Sequence, residues 1–120
     1  MKAKYIQFGG ESRPVRYSFN ALSEYAERTG MGWQQMLETI SQINFYYLRI
    51  MVYVGLKHGA LEAKIPFNHS FDAVGDWLEN DISKVKDFTK EFLDSLAKMG
   101  RMEEKQKTAT AKQAKTTATS

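Results

Sequence analysis

The 120-residue chain has the length of one domain, 42% hydrophobic residues and no cysteine, which excludes a disulfide framework, a thiolate zinc site and a cysteine nucleophile. Of its 17 basic and 14 acidic residues, Arg101, Lys105, Lys107, Lys112, Lys115, Glu103 and Glu104 lie in the last twenty positions, so residues 1–100 hold 12 of each sign and are neutral. The net charge of +3 therefore belongs to the tail, and the domain lacks the basic face that a general nucleic-acid binder needs.

The N-terminal stretch MKAKYIQFGGES has no continuous apolar core of the kind a signal peptide carries. Residues 4–19 read as a β-hairpin. KYIQF and VRYSF flank a Gly-rich turn, GGES, with Val15, Tyr17 and Phe19 alternating against Arg16 and Ser18 and Pro14 opening the second run. A first helix is expected over 21–29, capped by Asn20 and stopped by Gly30. Leu22, Tyr25, Ala26 and Thr29 form one face; Ser23, Glu24, Glu27 and Arg28 form the other. Trp33, Met36, Leu37 and Ile40 mark a second, short amphipathic helix.

NFYYLRIMVYVGLKHGA, residues 44–60, is the most apolar run. It is too short for the ~20 residues of a membrane span and is interrupted by Arg49. It reads as a third helix over 44–58, ended by Lys57, His58 and Gly59. Phe45, Leu48, Val52 and Leu56 make one apolar stripe, and Tyr47, Ile50, Met51 and Val54 make another almost opposite. Arg49, Tyr53, Lys57 and Tyr46 fill the wedge between them. Such a helix must be covered on two sides, either by the domain's own core or by a partner on the face of Tyr46, Tyr47, Met51 and Val54.

Ser70 caps a fourth helix with Phe71, Val74, Leu78 and Ile82 on one face and Asp72, Asp76, Glu79 and Asp81 on the other. A fifth follows over 84–99, with Val85, Phe88, Phe92, Leu96 and Met99 in register, closed by Gly100. The remaining RMEEKQKTATAKQAKTTATS holds one apolar residue larger than Ala, Met102, and reads as a disordered basic tail or linker. The expected architecture is mainly α: a domain over 1–100 of about five helices with an N-terminal hairpin, followed by the tail over 101–120.

No chemistry-bearing motif accompanies this frame. His58 and His69 lack further zinc ligands, the acidic residues lack the spacing of a calcium loop, and Gly9–Gly10 lacks a phosphate-loop context. The expectation is a protein without catalytic residues, cofactor or metal, working through protein contacts. The alternative is a small helical regulatory or nucleic-acid-associated protein acting through its basic tail. That tail has no interleaved aromatics for stacking on single strands.

Three segments, PVRYSFNALSEYAERTG, VYVGLKHG and FDAVGDWLEND, resemble the tail assembly chaperones of long-tailed bacteriophages, over roughly Arg13 to Asp81. The resemblance implies a mostly helical homo-oligomer in the bacterial host cytoplasm, absent from the mature virion, that binds the tape measure protein. It also implies a longer form made by ribosomal frameshifting, for which the polar tail would serve as the junction. Nucleic acid and membrane are not expected partners.

Overall fold

The computed structural model describes residues 3–40, 42 and 44–100; the expected tail over 101–120 lies outside the described residues. Two antiparallel strands, β1 (Lys4–Phe8) and β2 (Glu11–Val15), precede α1 (Phe19–Thr29), α2 (Trp33–Thr39), α3 (Phe45–Ala63) and α4 (Phe71–Asn80). A 3-10 turn, Ile82–Lys84, leads into α5, helical over 85–100. The expected mainly helical fold with an N-terminal hairpin is thus present. No helix among the described residues is long and apolar enough to cross a membrane.

The hairpin turn is tighter than the sequence suggested. Phe8 pairs with Glu11, so Gly9 and Gly10 alone make the connection. Both have positive φ, 61° and 84°, as a two-residue turn matched to strand twist requires. β2 ends at Val15, and the expected extension through Tyr17 and Phe19 does not form. Ser18 instead accepts the Ala21 N–H at 3.1 Å and caps α1. The cap therefore lies two residues before the expected Asn20 and the helix starts at Phe19, which turns outward, 70% exposed. Gly30 closes α1 in the left-handed conformation, as expected.

β2 lies directly across α3. The Arg16 N–H donates to the Gly55 carbonyl at 3.1 Å. A Cβ on Gly59 would overlap the Pro14 backbone, and one on Gly55 would overlap the Tyr17 ring. Gly59 is thus a crossing residue inside the helix and not the expected terminator. α3 runs on to Ala63 and ends at Lys64, which is itself left-handed at φ 58°. The Tyr17 hydroxyl donates to the Met51 carbonyl at 2.7 Å, and burial pushes its pKa well above the ordinary value.

α5 supplies the opposite wall. Phe88, Phe92 and Leu96 are fully buried, with Phe88 edge-on to Phe8 at 5.1 Å and Phe92 edge-on to Tyr17 and Tyr25 at 5.2 and 4.9 Å. Gly100 does not stop the helix at 99. It is still helical, and its missing side chain makes room for the Trp33 ring. Of α2, Met36 is buried while Leu37 stays 39% exposed.

A polar tie joins α1 to α3. The Glu24 carboxylate accepts from His58 Nε2 at 2.8 Å, Lys57 Nζ at 3.2 Å and Arg28 Nε at 2.8 Å. His58 is therefore a mid-helix partner of Glu24 and not a helix-terminal residue. Burial raises the carboxyl pKa, but the hydrogen bonds from His58, Arg28 and Lys57 outweigh it and hold Glu24 at about 2. Its depressed value means the tie contributes fully above the ordinary pKa of 4.5 and is lost as pH falls towards 2.

Gly59→Ala should lower unfolding free energy by at least ~1–3 kcal/mol, because the colliding atoms are backbone and cannot swing away. Urea titration measures it. In the same assay, wild-type stability should fall between pH 4.5 and pH 2 more steeply than that of Glu24→Gln. The difference should be on the order of 1–2 kcal/mol after solvent screening of a partly exposed group.

Candidate partner-binding groove

The first turn of α3 emerges from the core with its aromatics outward. Phe45 is 76% and Tyr46 55% exposed. This turn is firmly built. Asn44 Oδ1 accepts the N–H groups of Tyr46 and Tyr47, each at 3.1 Å, so the helix start is capped and its side chains are held in helical register. The Tyr46 ring meets Phe71 of α4 edge-on at 6.2 Å.

α4 stands beside this turn, capped by Ser70 as expected, with Ser70 Oγ accepting the Ala73 N–H at 3.0 Å. Between the two helices lies an open groove of about 520 Å3, lined by Phe45, Tyr46, Leu48, Arg49, Gly75, Leu78, Glu79 and Ile82. Arg49 lies across one end. Its guanidinium sits 4.1 Å from the Phe71 ring centroid and 3.6 Å from Asp72 Oδ1, passing over Gly75, where a Cβ would be 3.3 Å from its Cδ. Ile82, expected on the inward face of α4, falls instead in the 3-10 turn beyond it and is 53% exposed at the groove.

The four partner-contact candidates divide. Tyr46 is exposed and lines the groove, and Tyr47 is half-buried. Met51 and Val54 are 0% exposed, which corrects the expectation that they face a partner. The strand crossing and the surrounding helices bury both stripes of α3 over its middle, from Ile50 to Leu56, while its first turn stays in water. The periodicity placed Phe45 and Leu48 on the other stripe, so these groove residues were missed, as were Arg49, Gly75, Leu78, Glu79 and Ile82. The available signal was Asn44: a cap fixes which residues form the first turn, where coverage by the core runs out.

The expected acidic face also divides. Asp72 faces Arg49, Asp81 leaves the helix and accepts the Gly9 N–H at 3.2 Å, and Asp76 and Glu79 remain exposed. No group of three or more His, Asp or Glu side chains arranged to hold a metal occurs among the described residues. His69 accepts from Arg13 Nη1 at 3.3 Å and stacks edge-on to Trp77 at 4.8 Å, a packing role under the hairpin. The groove offers apolar contact flanked by charge, which suits a protein surface.

Comparison with protein-family models, curated proteins and solved structures gives no match.

Replacing Phe45 and Tyr46 together by Ser should leave unfolding free energy within ~0.5–1 kcal/mol of wild type, since both are exposed. Met51→Ala should cost ~2–5 kcal/mol, as a buried methionine does. Paired denaturation curves test the assignment of one pair to the surface and the other residue to the core.

Proposed function

We propose that this protein is a tail assembly chaperone of a long-tailed bacteriophage, which self-associates and holds the tape measure protein during tail morphogenesis in the host cytoplasm. The observation that carries the reading is the groove. A capped helical turn holds Phe45 and Tyr46 in water beside Leu48, Leu78 and Ile82, an arrangement that costs solvation unless something covers it. A holding protein needs adaptable apolar surface and no reactive group.

The resemblance supplies the identity of the client. Its three segments fall on connected parts of the fold: PVRYSFNALSEYAERTG runs from β2 through α1 to Gly30, VYVGLKHG carries the glycines that β2 crosses, and FDAVGDWLEND forms α4. The residues that carry the likeness therefore belong to the scaffold on which the groove is mounted. A longer form joined through residues 101–120 would display the same groove with an added domain.

Co-expression with the tape measure protein of the phage that would encode this chain tests the reading. The tape measure protein is expected in the soluble fraction with the wild-type chain and in the pellet without it. Equal solubility with and without the chain would refute the proposal. Intact-mass analysis of the N-terminally tagged native locus should also show a minor longer product diverging within 101–120.

A further inference from the structure

We infer that the groove between α3 and α4 is shaped for one α-helix of a partner protein, carrying a bulky apolar stripe flanked by lysine or arginine on the side that meets α4. This rests on the reading that the chain holds a polypeptide client, and it specifies what that client must present.

The backbone argument comes first. Both walls are helices, and their starts are closed: Asn44 takes the Tyr46 and Tyr47 N–H groups, and Ser70 takes that of Ala73. The groove therefore offers side chains and no strand edge. An extended segment laid there would lose water from its N–H and C=O groups without replacement, at ~1–3 kcal/mol for each unpaired group. A helix arrives with its backbone bonds already made.

The shape agrees. Gly75 and Leu78 lie one turn apart along the α4 wall, and Ile82 extends that wall from the 3-10 turn beyond it. Phe45, Leu48 and Arg49 occupy a single turn of the other. Gly75 has no side chain, and the Arg49 side chain lies over it and closes that end of the groove, so the apolar floor open to a crossing helix lies at Leu48, Leu78 and Ile82.

The charge then selects among helices. Arg49, a cation lining the groove, is engaged by Phe71 and Asp72. Asp76 and Glu79, one helical turn apart on α4, are exposed and meet no cation among the described residues. Glu79 lines the groove and Asp76 stands on the same helix outside its lining, so the α4 side carries unpaired negative charge that a basic flank on the occupant complements. The chain's own segment 101–120 is basic, but with Met102 its sole apolar residue larger than Ala it cannot fill the groove. Two copies meeting through this face would bring acidic rims together, a repulsive arrangement.

The test uses the full chain and two labelled helical peptides of about 20 residues. Both carry the same leucine stripe, one with lysine flanks and one with glutamate flanks, and binding is followed by fluorescence anisotropy. The lysine-flanked peptide should bind roughly tenfold tighter at low salt, a preference that shrinks as salt screens the rim. Asp76→Lys with Glu79→Lys should reverse the preference. Phe45→Ser with Tyr46→Ser should weaken both peptides about tenfold while the far-ultraviolet spectrum is unchanged. Equal binding of the two peptides, binding of neither, an unreversed preference in the charge variant, or equal competition by a peptide of residues 101–120 would each overturn the inference. The tape measure solubility assay separates the two ideas. If it depends on the chain while the peptides are not discriminated, the chaperone reading stands without this refinement; if it does not, the groove specificity stands alone.

Discussion

Two glycines on one face of α3 hold the architecture together. Gly55 and Gly59 let β2 and the Tyr17 ring lie against the helix backbone with no side chain between them. Glycine in a helix interior costs roughly 0.5–1 kcal/mol each relative to alanine, and the crossing offsets that cost through contact otherwise unobtainable. The Arg16 N–H reaches the Gly55 carbonyl, and the Tyr17 hydroxyl reaches that of Met51. A two-stranded hairpin, marginal by itself in water, is thereby made part of the core. Once β2 is fixed on α3, Phe8 is delivered to Phe88 and Tyr17 to Phe92, and α5 has a surface to close against.

Polar groups set the registration of this core without entering it. Glu24 gathers Arg28, Lys57 and His58, tying α1 to α3 at their exposed margin. At the other end of the hairpin, Arg13 stacks on Trp77 at 4.1 Å and donates to the Phe8 and Gly9 carbonyls, while Asp81 takes the Gly9 N–H. The turn is thus clamped from above and below by α4 and the residues beside it. Each tie is modest in energy, but each is specific in direction, so the helices are held at defined positions around an apolar centre that would otherwise tolerate sliding.

The groove follows from that fixed arrangement. α3 begins before α4 and the hairpin can cover it, so the first turn of the chain's longest apolar helix is left with Phe45 and Tyr46 in water. Asn44 keeps that turn helical in water. Gly75 keeps the facing wall low, and Arg49 uses the space by lying across it. The candidate function is a consequence of incomplete coverage at the N-terminal end of a helix whose middle is buried.

Much of this was legible in the residues themselves. Local signals suffice where one residue's chemistry decides: Gly30 for a left-handed stop, Ser70 for a cap, Gly9–Gly10 for a turn, and Phe88, Phe92 and Leu96 for a buried stripe. They failed where two residues compete for one role, as Ser18 and Asn20 do for the cap of α1. They failed too where a glycine serves contact and not conformation: Gly59 looks like a terminator and is a close-approach residue inside α3, and Gly100, itself helical, leaves room for the Trp33 ring. The fate of the two apolar stripes of α3 was undecidable from periodicity, which reports that both sides need covering and not what covers them. By itself the sequence determined the helices, the hairpin and the neutral, apolar-centred domain, because propensity, capping and patterning are properties of neighbours along the chain. Tertiary structure alone decided that Met51 and Val54 lie inside while Phe45 and Tyr46 face water. Burial depends on where β2, α4 and α5 end in space, and no local pattern contains that length.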